Sequence, residues 1–281
     1  MKLTLLPAFS ALALIGTACN ARAELLVYEG FDYTADTEEA DSDLFPQNGG
    51  SGFDGAYYGG GVATRPIVSG SLHYPGSVAY TPTGNSVQIN TTGEFFATTS
   101  RNLGAAAGLG ASTAGTRYVS FLLNSTNLQN YTQLGFAQLG GSFPPPSVTF
   151  GFEDGAFTVE AAGAGDKTLF GTAVASTTYF FLGKIVNDGT TSVASLSVFG
   201  PDDTVPGVEG TYQASTAAFP SLDLTRLFGF QGQNTSLLID EIRVGNSYAD
   251  VVFVPEPSAA LSLLGGVGMI LGFRRNRCVA A

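Results

Sequence analysis

The sequence predicts an all-β fold, a single two-sheet sandwich of jelly-roll type. Three observations carry that expectation. Short runs of β-branched and aromatic residues recur between clusters of Gly, Pro, Asn and Asp. No stretch between the two chain ends keeps the 3.6-residue apolar period of an amphipathic helix. The run 192–199 alternates strictly, with Ala194, Leu196 and Val198 on one face and Ser195 and Ser197 on the other.

In chain order, strands are expected at Leu25–Glu29, Ser86–Asn90, Glu94–Thr99, Thr116–Leu123 and Gln133–Leu139. They continue at Ser147–Phe152, Ala156–Ala161, Thr178–Val186, Ser192–Phe199 and Leu237–Val244. Thr178–Val186 is apolar on both faces apart from Lys184, the pattern of an inner strand. Glu153-Asp154-Gly155 and Asn187-Asp188-Gly189 read as hairpin turns, because Gly accepts a positive φ. Phe143 to Ser147, with three consecutive prolines, is a stiff exposed loop. Asn102 to Gly115, rich in Ala and Gly, is expected as loop or short helix. Many short strands in a body of this length point to a sandwich.

The two ends of the chain carry addresses. Met1-Lys2, the apolar run Leu3 to Thr17 and Ala21-Arg22-Ala23 form a secretory signal peptide, cut after Ala23. Cys19 lacks the Leu three residues earlier that a lipidation site needs; Gly16 stands there. At the other end, Pro255-Glu256-Pro257 is followed by 15 uncharged residues, Ala259 to Phe273, and then by Arg274, Arg275 and Arg277. As a helix that run spans ~23 Å, short of the ~30 Å hydrocarbon core, a deficit that flanking groups can absorb. The arginines should remain cytoplasmic.

The order Pro-Glu-Pro, short apolar helix, Arg cluster resembles the C-terminal sorting signal of the PEP-CTERM proteins of Gram-negative bacteria. The resemblance covers about a tenth of the chain, residues 255–281. It implies recognition by an exosortase, cleavage near Pro255-Glu256-Pro257, and release or attachment at the cell envelope or its exopolysaccharide. The alternative is a membrane anchor that is never cut. The expected organisation is therefore signal peptide 1–23, sandwich 24–254 and sorting signal 255–281, with an inner-membrane intermediate and a final place on the envelope surface or in the extracellular matrix.

Removing both ends sharpens the composition. Residues 24–254 hold seven basic and 22 acidic residues, a net charge of −15. Such a surface repels nucleic acid and anionic lipid and suits cations, Ca²⁺ above all. Both cysteines, Cys19 and Cys278, lie outside the body, so no disulfide supports it.

Ile239-Asp240-Glu241-Ile242-Arg243-Val244 is similar to the closing strand of laminin-G-like and other concanavalin A-like sandwiches. Leu26 to Asp32 fits the opening edge strand and turn of such folds. In strict alternation Leu238, Asp240, Ile242 and Val244 share one face, and an Asp there needs a partner. The resemblance implies a structural Ca²⁺ held by Asp240 with the first turn around Gly30, Phe31 and Asp32. The alternatives are backbone N–H donors, an Arg, or a bulge.

Catalytic constellations are sparse. His73 is the one histidine, which excludes HExxH and any two-His metal site. No Ser sits in a G-x-S-x-G frame, and the body holds no Cys. No strand carries the Glu-x-Asp-x-Glu spacing that would aim three carboxyls into a glycanase cleft. Tyr57 and Tyr58, in a Gly-rich stretch, are the exposed aromatics expected to meet a glycan; a half-packed tyrosine pair at a sheet edge is the alternative. The acidic run Asp36, Glu38, Glu39, Asp41 and Asp43 reads as a solvated loop. The expected function is non-catalytic binding or structure at the cell surface, in the company of exopolysaccharide. The rival is a glycan hydrolase or lyase on the same sandwich.

Overall fold

The structure, a computed structural model, describes residues 25–35, 44–45, 47–61, 63–76, 82–91, 97–129, 131–138, 147–162, 165–231 and 235–252. The signal peptide with Ala21 and Ala23, the acidic run 36–43 and the sorting signal with Pro255, Glu256, Pro257, Arg274, Arg275 and Arg277 lie outside these residues. So does the proline loop 143–146. Among the described residues no helix is long and apolar enough to cross a membrane.

The described strands are β1 (Leu25–Glu29), β2 (Phe53–Gly60), β3 (Ala63–Thr64), β4 (Ile67–Val68), β5 (Ser86–Thr91) and β6 (Ala97–Leu103). Then come β7 (Gly115–Ser125), β8 (Thr132–Gln138), β9 (Ser147–Glu153), β10 (Ala156–Ala162), β11 (Asp166–Phe170) and β12 (Thr178–Asn187). The chain continues with β13 (Thr191–Phe199), β14 (Ala214–Ser215), β15 (Phe219–Pro220), β16 (Leu224–Gln231) and β17 (Ser236–Gly245), and a short helix α1 (Tyr248–Val252). They form two antiparallel sheets, a sandwich. The ten-stranded sheet runs β14-β13-β12-β7-β17-β5-β3, with β1 on β17, β15 on β13 and β4 on β5. The seven-stranded sheet runs β11-β10-β9-β8-β16-β6-β2. The consecutive strands β7 and β8, β16 and β17, and β5 and β6 hold successive places in opposite sheets, in the same order.

Turn chemistry sets several of these elements. Asp154 (φ 49°) and Gly155 (φ 78°) close the β9–β10 hairpin, and Gly189 (φ 94°) closes β12–β13. β12 lies between β7 and β13, as its two apolar faces require. One face, with Phe181 and Ile185, enters the core between the sheets. There Phe121 stacks on Phe181 at 5.1 Å, and Phe152 meets Phe181 edge-on at 5.3 Å. The other face, with Phe180 and Leu182, is covered by Leu72, Tyr74, Val205, Tyr248, Val251 and Val252. Around β12 and β7 the ten-stranded sheet therefore has both faces buried. α1 is tied down by the Ser120 hydroxyl, which donates to the Val251 carbonyl at 2.7 Å.

Several strands depart from the expectation. β2 and β16 are full strands that the Gly- and Arg-containing sequences FDGAYYGG and LTRLFGFQ concealed. β17 does not alternate throughout. Leu237 and Ile239 face the core, the register slips between Asp240 and Arg243, and then Ile242 and Val244 face it. Glu241 supplies the bulge with φ 53°. Asp240 thus stands opposite Ile242 and Val244, on the side of Leu238.

Candidate functional site

Three polar groupings stand out, and two of them are structural. Glu29 ends β1, almost wholly buried. Its Oε2 accepts from Arg101 Nη1 at 2.9 Å, from the Tyr33 hydroxyl at 2.8 Å and from the Tyr57 hydroxyl at 3.1 Å. Its Oε1 accepts from the Phe31 amide at 2.9 Å. Arg101 also donates to the Gly55 carbonyl and to Asn48, and lies over the Phe53 ring at 4.1 Å. Burial pushes the Glu29 carboxyl up, and these donors and Arg101 oppose it. Burial likewise pushes the Tyr57 hydroxyl well above the ordinary tyrosine range.

This network corrects the expectation for Tyr57. Its ring is 5 % exposed and its hydroxyl is already bound to Glu29, so it cannot meet a glycan. Tyr58 points the other way. It is 38 % exposed and donates to Asn102 Oδ1 at 2.8 Å.

The second grouping is at the β17 bulge. Asp240 is fully buried; its Oδ2 accepts from the Leu72 amide at 2.8 Å and its Oδ1 from the Glu241 amide at 2.7 Å. Burial pushes its pKa up to about 8. Glu241 accepts from Tyr28, from the Thr83 amide and from Arg243. Both Asp240 oxygens face N–H donors, whose polarity repels a cation. Asp32 is exposed, and the described residues show no group of three or more His, Cys, Asp or Glu side chains placed to hold a metal. The structure does not make Asp240 and Asp32 partners; the backbone-donor alternative describes Asp240.

The third grouping is the outer face of the seven-stranded sheet. Leu134, Phe136, Phe150, Val159 and Leu227 of that sheet face the core. Their sequence neighbours face outward. Cross-strand register places Tyr58, Ser100, Phe228, Gly135, Thr149, Glu160 and Lys167 in one row across all seven strands. Six strand spacings make it ~29 Å long. Beside it Thr149 donates to Gln133 Oε1 at 2.9 Å, and Gln133 donates to Glu160 Oε2 at 3.0 Å. Lys167 pairs with Glu153 and lies 5.9 Å from the centre of the Tyr131 ring. Its hydrogen bond to Glu153 raises the Lys167 pKa. Two buried polar atoms here, Glu153 Oε2 and Thr158 Oγ1, have no hydrogen-bond partner. Of this row only Tyr58, Glu160 and Lys167 reach solvent; Ser100, Phe228 and Thr149 are buried, and so is Gln133 beside them. His73 is exposed on the segment that covers the opposite sheet, so it does not belong to this row.

Sequence reasoning missed Gln133, Thr149, Thr158, Glu160 and Lys167. A local signal was there for all but Lys167: each of the others is a polar residue alternating with core residues. What strand they faced was not. Glu29 and Arg101, 72 positions apart, had no sequence signal at all.

No protein-family model matches the sequence, and no curated protein matches it. Solved structures do resemble it distantly. The cellulose-induced protein Cip1 is 13 % identical, with a TM-score of 0.38 over 67 % of this chain and 87 % of that one. Peanut lectin is 12 % identical, with a TM-score of 0.37 over 66 % of this chain and 97 % of the lectin. The binding domain of botulinum neurotoxin serotype D is 13 % identical, with a TM-score of 0.41 over 80 % of this chain. This chain matches about half of that domain, 49 % of its length. The reading of the site rests on its own residues.

Proposed function

We propose that the chain is an exported, exosortase-sorted protein of a Gram-negative cell surface or extracellular matrix. Its concanavalin A-like jelly-roll body binds exopolysaccharide or another surface glycan and does no chemistry on it. The observation that carries this reading is the polar row on the seven-stranded sheet. The middle of the outer face of the ten-stranded sheet is covered by an apolar layer. The outer face of the seven-stranded sheet instead presents to solvent Tyr58 at one end of the row and Glu160 and Lys167 at the other, with Ser100, Gln133 and Thr149 buried between them. An amphipathic ring, a carboxylate and an ammonium group can stack on a hydroxylated chain and hydrogen-bond to it. The acidic surface favours neutral or cationic glycans.

Retention of the exported protein on neutral and acidic polysaccharides tests the binding. Wild type should be retarded on a neutral glycan, and Tyr58→Ala should elute earlier. A blank across the panel would sink the reading. Mass spectrometry of the envelope-associated protein tests the sorting: the peptide holding Arg274, Arg275 and Arg277 should be missing.

A glycan-active enzyme is the second reading, favoured by Glu153 and Glu160 lying on one face on either side of Thr158. New reducing ends or unsaturated ends, lost in Glu160→Gln, would select it.

A further inference from the structure

We propose that one end of the sandwich carries a separate pocket for a neutral hydroxylated ligand, the size of a small glycoside. It uses none of the residues of the sheet row, so the two readings can fail independently. Three loops form it: 126–129 after β7, the Asp154-Gly155 turn, and 171–175 after β11. They line an open hollow of about 540 Å³, a volume within the ~300–1,000 Å³ range of small-ligand sites.

The loops are locked to one another before any ligand arrives. Gly155 donates to the Leu128 carbonyl at 2.7 Å, and Ala173 donates to the Gly155 carbonyl at 2.8 Å. Ser176 donates to the Ser125 carbonyl at 2.8 Å, and Val174 donates to the Tyr179 hydroxyl at 2.9 Å. A site held open in this way spends little binding energy on ordering its walls. Two non-glycine residues here, Asp154 (φ 49°) and Ser176 (φ 59°), keep left-handed backbones, each costing ~1 kcal/mol. The fold tolerates that strain around one cavity.

The lining sets the ligand class. Ala156, Ala173 and Ala175 offer methyl groups, while Asn127, Gln129 and Thr172 offer amides and a hydroxyl. A pyranose, with C–H faces and hydroxyl rims, matches that mixture. Among the described residues no Lys or Arg lines the pocket, and Asp154 is its one charge. Anionic ligands such as uronates and phosphates are therefore disfavoured.

Saturation-transfer NMR on the exported protein tests this, with methyl glycosides of neutral hexoses as probes and a methyl uronoside beside them. Saturable binding of a neutral glycoside and none of the uronoside are expected. Ala175 is exposed, so Ala175→Phe should fill the pocket and abolish binding without moving the thermal midpoint. Asp154→Asn keeps a residue that tolerates the left-handed turn and should weaken binding about tenfold. Tyr58→Ala should leave it unchanged. No saturable binding of any neutral glycoside, preference for the uronoside, or binding that survives Ala175→Phe and Asp154→Asn would each overturn the proposal.

Discussion

Asp240→Asn should turn a pH-dependent stability curve into a flatter one that crosses it. The folded Asp240 carboxyl has its pKa pushed from 3.8 to about 8, chiefly by burial, with the nearby Glu241 adding to it. Between those two values the folded chain keeps a proton that the unfolded chain has released. Stability therefore falls as pH rises through that window, and the loss is complete above about 8. At ~1.4 kcal/mol per unit the ceiling of the loss is ~6 kcal/mol. Asn cannot ionise and removes this term. It also replaces one acceptor by an amide NH₂ facing an N–H, either that of Leu72 or that of Glu241, which costs about 1–2 kcal/mol. The variant should be the less stable protein near the acid end of the window and the more stable one above about pH 8. Urea unfolding at fixed ionic strength, run for both proteins across the window, measures it. Slopes contributed by Glu29 and other groups cancel in the difference. Two parallel pH profiles would refute the reasoning, because they would mean that Asp240 ionises in the fold as it does in the unfolded chain.

Three further outcomes follow from the same packing. Arg101→Met leaves Glu29 buried without its cation and should cost about 3–5 kcal/mol in urea unfolding, with much of it recovered in the double variant with Glu29→Gln; additivity of the two would contradict the network. Phe181→Ala removes a ring that touches Phe121, Phe152 and Phe157 and should cost about 3–5 kcal/mol; a loss below ~1 kcal/mol would mean the core is packed otherwise. Lys184 and Glu209 form a partly exposed pair, so Lys184→Ala should shift stability by less than ~1 kcal/mol, and a large shift on calorimetry would show that the pair clamps the 200–213 loop.

Strands whose alternation is clean were legible in the sequence, and their physical basis is local. Ala194, Leu196 and Val198 enter the core because a strand turns every second side chain to one face. Leu25–Glu29 was placed to the residue. β2 and β16 were hidden because Gly and Arg dilute the apolar signal, although both strands pair along much of their length with neighbours far away in the chain. The bulge in β17 was equally hidden. Nothing in Leu238-Ile239-Asp240-Glu241 announces that Glu241 takes a positive φ. That slip alone moved Asp240 from the core face to the opposite one.

Tyr57 and Tyr58 show the same division at the site. They are adjacent and chemically identical, and the sequence could not separate them. The fold did, by carrying Glu29 and Arg101 to one and open solvent to the other.

By itself the sequence determined an acidic, disulfide-free, all-β body of composition and alternation suited to a sandwich, and it set the turns at Asp154-Gly155 and Asp188-Gly189. Only the tertiary structure decided which polar residues share the outer face of the seven-stranded sheet, and that Asp240 is held by backbone amides. The reason is that strand periodicity is written within a few residues, whereas register across seven strands depends on pairings between segments up to about a hundred and thirty residues apart.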